Sequence, residues 1–225
     1  MRKIVANCCI DLSYIQNPYH CKRQDFDVMV EKLNGTLLIA CSAWYDETKG
    51  GYGQSFEENM SEASISGARL VTYKLAKMDL GNLTCAIRFE VDAVNEIGEL
   101  VELKSMKYHR YGLENKDYFL LIWIQMVLSN TPNVKIGIHI NGLISEISSY
   151  SMEDVQRMAG LHHSNAKVQL FQNLNNILSM MYSQVEEGRQ ATVKFFSQSS
   201  SVQAIELKVY RRKREALPCH WCPPR

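Results

Sequence analysis

Two short patterns of charged residues carry the chemistry that this sequence suggests. The segments Glu90-Val91-Asp92 and Glu102-Leu103-Lys104 each place two charged side chains two positions apart, with one residue between them. In a β-strand such positions share a face and lie about 6–7 Å apart. If the two strands pair as a hairpin, three carboxylates and one ammonium group converge. Oxygen donors of this kind are the ligands that hard cations such as Mg²⁺ prefer.

Such a group of side chains could hydrolyse a phosphodiester. Two divalent ions about 4 Å apart would hold the attacking and leaving oxygens, while the lysine would orient water or neutralise charge. Alternating charges are also typical of a solvated strand face, and the pattern occurs a second time at Glu206-Leu207-Lys208. That second copy has no acidic pair before it and leads into the basic run 211–214. We therefore interpret it as an edge strand with a solvated face.

The elements that would position these residues follow from periodicity and turn signals. Asn34-Gly35 and Asn141-Gly142 indicate tight turns, and Ser151 with Asp154 resembles a capping box. The pattern predicts strands over 35–42, 69–74, 84–94, 100–106, 134–140, 143–147, 191–196 and 204–210, and helices over 55–63, 113–128 and 166–186, with a short one opening at Ser151. The expected class is α+β, with mixed β-sheets and flanking helices.

The bulk composition bounds the function. The chain has 225 residues, of which 46% are hydrophobic and 22% charged, and this favours a single domain over 1–225 with a tail over 210–225. A net charge of +1 provides no general attraction to nucleic acid, so any such site must be a local groove. The seven cysteines are typical of reduced thiols in a nuclear or cytosolic protein. The apolar run 118–127 is too short to cross a bilayer, so we expect no membrane association.

Four segments, in order, resemble the DXO family of RNA 5′-end decapping exoribonucleases. They are 53–57, which ends at Glu57, the pattern at 90–92, the pattern at 102–104, and 123–125, which ends at Gln125 late in an apolar helix. The resemblance extends over residues 15–160, and this chain is shorter than typical members of the family. The early arginine of the family has only Arg2 as a counterpart.

The resemblance implies a PD-(D/E)XK nuclease-like core whose mixed sheets and flanking helices form an active-site cleft. It implies two Mg²⁺ or Mn²⁺ ions. The implied metal ligands are Glu57, Glu90, Asp92, Glu102 and the backbone carbonyl of Leu103. The residues that would act on water and the scissile phosphate are Lys104 and Gln125, and those expected to contact substrate are Glu57, Lys104, Gln125 and Arg2.

The implied activity is removal of incomplete or non-canonical 5′ caps, including NAD-type caps, and 5′-to-3′ degradation of single-stranded RNA, including RNA with a 5′ triphosphate. This corresponds to mRNA decapping and RNA quality control in the nucleus, the cytoplasm or both, with an exoribonuclease as an expected protein partner. Two alternatives stay open. One is a relative without catalysis that binds and shields RNA 5′ ends, and the other is a DNA nuclease of the wider superfamily.

Overall fold

The structure is a computed structural model that describes residues 2–6, 26–41, 52–60, 72–108, 115–162, 165–195 and 205–210. Its strands are β1 Arg2–Ala6, β2 Phe26–Leu33, β3 Thr36–Cys41, β4 Thr72–Leu80, β5 Leu83–Val91, β6 Ala93–Val94, β7 Leu100–Lys107, β8 Asn133–Ile140, β9 Leu143–Ser151, β10 Gln190–Phe195 and β11 Ile205–Tyr210. Its helices are α1 Tyr52–Met60, α2 Lys116–Ser129, α3 Met152–Met158 and α4 Ala166–Gln184. The chain forms two compact units. The first consists of Met1–Ala43, Lys77–Arg88 and Leu170–Arg225, and the second of Trp44–Ala76 and Phe89–Gln169.

The first unit contains a seven-stranded mixed sheet in the order β11-β10-β2-β3-β1-β5-β4. Strand β1 runs parallel to both β3 and β5, while β2 pairs antiparallel with β3 and β10. Alternate residues of β5 are buried, as expected for a strand with one face on a core. Helix α4 belongs to this unit from Leu170 onward and buries one stripe of side chains, made of Leu170, Leu174, Leu178 and Met181.

The second unit contains a four-stranded mixed sheet in the order β6-β7-β8-β9. Strands β7 and β8 are parallel neighbours, so α2 is the crossover between them and runs antiparallel to both. The Asn115 side chain accepts a hydrogen bond from the Tyr118 backbone N–H at the start of α2, and Asn130 ends the helix with φ 54°. The turn at Asn141-Gly142 then connects β8 to β9.

The predicted α+β class, with mixed sheets and flanking helices, is confirmed. The Asn34-Gly35 turn, the Asn141-Gly142 hairpin and the capping box at Ser151 are confirmed as well. The edge position predicted for the second Glu-Leu-Lys copy is confirmed, because β11 is the outer strand of its sheet. Strands β1 and β2 had no counterpart in the prediction. Positions 42, 61–63, 69–71, 113–114, 196 and 204, and the tail beyond 210, lie outside the described residues.

No helix in the described part of the chain combines the length and the apolar character that a membrane crossing requires.

Candidate active site

The predicted hairpin exists, but its ladder is only two residue pairs long. Ala93 pairs with Val101 and Val94 with Leu100, so the antiparallel pairing involves β6 and the start of β7 alone. The Asn95 side chain closes the turn, because its Oδ1 accepts hydrogen bonds from the backbone N–H groups of Ile97 and Glu99 at 3.2 and 2.8 Å. The prediction of one long strand over 84–94 is therefore wrong in extent, since β5 ends at Val91.

Beyond this ladder, the Asp92 side chain bonds to the edge of β7. Its Oδ2 atom accepts a hydrogen bond from the Leu103 backbone N–H at 2.9 Å, which satisfies a donor on the edge of β7 that β6 does not reach. The N–H and C=O groups of one strand residue point to the same side. The Leu103 carbonyl therefore points to this same edge, beside the Asp92 carboxylate.

Lys104 joins the two acidic patterns. Its ammonium group forms an ion pair with Glu102 and lies 3.9 Å from Asp92 Oδ2. The lysine side chain is 26% exposed, whereas the two carboxylate side chains are 13% and 14% exposed. Glu102 and Lys104 thus share a face of β7, as their spacing predicts, and Asp92 approaches them from the edge of the strand.

The cluster holds an excess of buried negative charge. Burial, together with repulsion from the neighbouring carboxylates Glu102 and Glu57, raises the pKa of Asp92 to about 7, against the opposing effects of Lys104 and the Leu103 hydrogen bond. Burial acts to lower the pKa of Lys104, but the Glu102 and Asp92 carboxylates prevail and hold it above its usual range. Lys104 therefore stays an ammonium ion, while near neutral pH Asp92 is present in both its protonated and its charged form.

Helix α1 brings Glu57 to this cluster. Its Phe56 side chain is buried with Val101 and Leu103 of β7. The ring also lies against Gly137 of β8, where a Cβ atom would be only 2.5 Å from it. Glu57 follows Phe56 directly and is partly buried. Its carboxylate affects the pKa of both Asp92 and Lys104, so three carboxylates and one lysine act on one another in the second unit.

Helix α2 presents Gln125 toward the same strand. Tyr118 lies seven residues earlier, its hydroxyl donates to the Ser105 carbonyl at 3.4 Å, and Lys104 influences its pKa. Two helical turns span about 10 Å, or roughly three strand residues. Because α2 runs antiparallel to β7, Gln125 lies near the level of Glu102. Gln125 is 8% exposed, and its Oε1 atom accepts no hydrogen bond within the described residues.

Tyr118 is a residue that the sequence patterns did not single out. It is partly buried, and burial raises the pKa of its hydroxyl, with Lys104 acting in the opposite direction. Its spacing of seven residues from Gln125 places both on one face of a helix. That spacing is the signal in the sequence that would have found it.

Glu90 and Arg2, the two other residues predicted for the site, lie in β5 and β1. Glu90 is partly buried near the end of β5, on the face opposite the buried Phe89. Arg2 lies in β1 of the first unit, where its guanidinium carbon is 5.3 Å from the centre of the Tyr182 ring. That contact is a cation–π interaction.

The chemistry of the donors fits a divalent cation. Carboxylate oxygens are hard donors, and the buried carboxylates exceed the single ammonium that balances them. Among the residues that the structure describes, no three His, Cys, Asp or Glu side chains lie close enough to hold a metal ion. In this arrangement the Lys104 ammonium provides the positive charge beside Asp92 and Glu102.

The two mixed sheets with flanking helices define a protein of the α+β class. Solved structures that share this fold include those of Rai1 and Dxo1 proteins. S. pombe Rai1 in complex with 3′-FADP is 16% identical, with a TM-score of 0.72 over 93% of this chain and 72% of that one. K. lactis Dxo1 in complex with manganese is 15% identical, with a TM-score of 0.70 over 96% and 67%.

A third similar structure is Candida albicans Rai1 in complex with pU5-Mn²⁺, which is 14% identical, with a TM-score of 0.68 over 94% of this chain and 70% of that one. The sequence matches no protein-family model and no curated protein sequence. At these identities the likeness establishes the fold. The resemblance drawn from the four segments is confirmed at that level, because the Rai1 and Dxo1 structures are the ones that it predicts.

Proposed function

We propose that this protein is a metal-dependent ribonuclease that acts at RNA 5′ ends, removing incomplete or non-canonical caps and degrading the RNA from 5′ to 3′. The observation that carries the proposal is the cluster of Asp92, Glu102 and Lys104, with Glu57 acting on it, within a fold that Rai1 and Dxo1 share. The fold alone would leave the function open, because one fold hosts many activities. Buried carboxylates that repel one another and shift the Asp92 pKa are typical of a functional site, and they are the reason for proposing catalysis here.

The proposed metal ligands are the carboxylates Glu57, Glu90, Asp92 and Glu102, with the carbonyl of Leu103. The positions of Asp92 and Glu102 beside Lys104, the effect of Glu57 on the Asp92 pKa, and the Leu103 carbonyl on the edge of β7 where Asp92 lies support most of this set. Bound Mg²⁺ or Mn²⁺ ions would polarise the scissile phosphate and lower the pKa of water. Before binding, Asp92 must release its proton, and because its pKa is raised to about 7 the proton would compete with the metal ion near and below neutral pH.

Lys104 and Gln125 are the proposed groups that act on water and phosphate. The ammonium of Lys104 is held by two carboxylates and is a fixed positive charge beside the site. Such a preorganised charge stabilises the negative charge that develops on a phosphate in the transition state. Gln125 has a buried oxygen that accepts no hydrogen bond within the described residues. A water molecule or a substrate group can donate to it.

RNA 5′ ends are the proposed substrate. The similar structures include Rai1 proteins in complex with pU5-Mn²⁺, with 3′-FADP, and with (3′-NADP)⁺ and calcium ion. They support a site that takes single-stranded RNA and dinucleotide-type 5′ groups. NAD-capped and 5′-triphosphate RNA are therefore proposed substrates. The exoribonuclease partner, the nuclear or cytoplasmic location and the contact of Arg2 with substrate stay predictions.

A second candidate is a protein that binds and shields RNA 5′ ends without cleaving them. The observation that favours it is that no three potential ligand side chains within the described residues are close enough to hold a metal ion. In that case the Lys104 ion pairs would be permanent, and divalent ions would leave the protein unchanged.

The deciding experiment incubates the protein with 5′-monophosphate, 5′-triphosphate, incompletely capped and NAD-capped RNA, with Mn²⁺, with Mg²⁺ or with EDTA. We expect metal-dependent release of the cap or pyrophosphate, followed by mononucleotides. Circular RNA of the same sequence is the control for direction. If circular and linear RNA disappear at equal rates, the enzyme is an endonuclease and action at 5′ ends is excluded. Binding without any cleavage would establish the shielding protein instead.

A further inference from the structure

The first residue of α1, Tyr52, exposes an aromatic ring that the fold holds in place. The side chain is 56% exposed, although large aromatic rings are usually buried. Its ring packs against the ring of His139, with 4.7 Å between centroids and an angle of 47° between planes. It also lies so close to Gly142 that a Cβ atom there would overlap it. One side of the ring is thus supported by protein, and the remainder faces solvent.

The support beneath this ring is built into the β8–β9 hairpin. His139 is 5% exposed, and its Nδ1 atom accepts a hydrogen bond from the Gly142 backbone N–H at 3.3 Å. Gly142 has φ +91°, a conformation in which a side chain would be strained. The turn therefore requires glycine for its backbone, and the absent side chain leaves the space that Tyr52 fills. The orientation of the ring is fixed before any ligand arrives.

We propose that Tyr52 is a stacking platform for one nucleobase of a single-stranded RNA bound at the candidate active site. This inference rests on the proposed function and adds a substrate contact to it. Every nucleobase has a π-face, so stacking on an aromatic ring binds RNA with little sequence preference. A ring that is already held in position loses little conformational entropy when a base stacks on it.

The position of Tyr52 suits a substrate that reaches the carboxylates. Glu57 is five residues further along α1, which corresponds to about 7.5 Å along the helix axis. The helix passes close to β7, because a Cβ atom at Gly53 would be 3.5 Å from the Ser105 hydroxyl. Tyr52 therefore lies in the same unit as the cluster and on the helix that carries one of its carboxylates.

The surroundings of the platform favour nucleic acid. Tyr108 is 59% exposed, and its backbone N–H donates to the His139 carbonyl at 2.7 Å. Lys107, the register partner of His139, is exposed as well. A second ring and a cation beside the stacked pair are the combination that single-stranded nucleic-acid sites use. The net charge of the whole chain is only +1. RNA binding therefore depends on a local group of aromatic and basic side chains and not on a general electrostatic attraction.

The test is an abasic scan of the RNA combined with a substitution of the ring. Short phosphorothioate RNA with a 5′ phosphate resists cleavage, and its affinity for the full chain is measured with Mn²⁺ present. An abasic residue replaces each nucleotide in turn. We expect one position at which the wild-type protein loses roughly 5- to 150-fold in affinity, the range for one base–aromatic stack.

Tyr52→Leu should weaken binding of the intact RNA by a similar factor and should lose its sensitivity to that one abasic position. A merely structural role would weaken binding but keep the sensitivity. Tyr52→Phe retains the ring and should behave as wild type. Tyr73→Leu changes an exposed tyrosine on β4, 48% exposed, and is the matched control that should change nothing.

A 2-aminopurine base at the sensitive position gives a measurement that needs no variant, because stacking on the ring should quench its fluorescence on binding. If wild type binds RNA and no abasic position differs between wild type and Tyr52→Leu, the platform is wrong and the proposed function stands. That result would leave the ring as a contact for a protein. If wild type does not bind this RNA at all, both the platform and the proposed function fail.

Discussion

Replacing Asp92 with asparagine should stabilise the metal-free protein at alkaline pH. In the native state burial and the neighbouring carboxylates raise the Asp92 pKa to about 7 from 3.8. A group whose pKa is raised on folding contributes stability that is fully present below its unfolded pKa. That stability is lost as the pH rises through the native pKa. Metal-free wild type should therefore lose stability between about pH 4 and pH 7.

The magnitude follows from the same displacement of the pKa. Each pH unit corresponds to about 1.4 kcal/mol, so the rise from 3.8 to about 7 corresponds to a loss of at most about 4 kcal/mol. The Asp92 side chain is only 13% exposed, so solvent screening reduces this little. Asparagine keeps an oxygen that can accept the Leu103 N–H but carries no charge. Asp92→Asn should thus match wild type near pH 4 and exceed it above pH 7 by on the order of a few kcal/mol.

The assay is chemical denaturation in EDTA at a series of pH values from 4 to 8, with wild type and variant measured side by side. Asp154→Asn is a control of opposite sign. The Asp154 pKa is lowered, chiefly by its hydrogen bonds to Ser151, so its contribution is present at neutral pH and is lost on acidification. That variant should be less stable than wild type across the whole series, and it should converge with wild type only in added samples at a pH below 3.8.

Parallel stability curves for wild type and Asp92→Asn across this range would refute the reasoning. They would mean that Asp92 keeps the same proton affinity in the folded and unfolded chains. A buried cluster of repelling carboxylates would then be absent, and the metal site proposed on it would lose its physical basis.

The remaining predictions concern activity and packing. Excess EDTA should abolish RNA cleavage, and unchanged turnover in EDTA would exclude a metal-dependent mechanism. Glu90→Ala combined with Asp92→Ala should abolish turnover while circular dichroism shows an intact fold; near-normal turnover would show that the ligand set is misassigned. Lys104→Ala should lower kcat on the order of 10²-fold, as loss of one preorganised charge does, whereas Lys208→Ala should change it little. The reverse ranking in single-turnover assays would move the active site to β11. Gly137→Ala should reduce the free energy of unfolding by about 1–3 kcal/mol, because its methyl group would press into the phenylalanine ring of α1; an unchanged denaturation midpoint would contradict that packing.

Much of the local structure could be predicted because local chemistry decides it. The residues Asn34, Gly35, Asn141 and Gly142 all have positive φ in the structure, as tight turns between strands require. The capping box at Ser151 forms because a serine hydroxyl and an acidic side chain three residues on can satisfy each other's backbone N–H groups. Turns and helix caps involve residues that are at most a few positions apart, so a short stretch of sequence contains all the residues that form them.

Strands β1 and β2 could not be predicted in the same way. Strand β1 is five residues long and is buried at Ile4 between β3 and β5, which come from distant parts of the chain. A short apolar segment without turn signals is a strand only when partners exist on both sides. Those partners are set by the sheet as a whole, and no pattern within the segment describes them.

The extent of the hairpin was also decided beyond the local pattern. Alternation over 84–94 predicted one long strand that pairs with 100–106. In the structure β5 pairs with β1 in the seven-stranded sheet, and only Ala93 and Val94 pair with β7. Asp92 lies between the end of β5 and the start of β6. Its side chain, and no backbone group of a neighbouring strand, accepts the hydrogen bond of the Leu103 N–H. A pattern of alternating residues cannot show that a chain leaves one sheet and enters another.

The sequence by itself determined which residue types were available for chemistry and how they were spaced along strands and helices. The two Glu-Leu-Lys copies have identical side chains, and the sequence distinguished them only by the acidic pair before the first and the basic run after the second. The tertiary structure separates them: the first copy lies on β7, where Asp92 and Glu57 act on it, and the second lies on β11, at the edge of the other sheet. The physical reason is that burial and electrostatic repulsion depend on neighbours far apart in sequence, and these raise the Asp92 pKa to about 7.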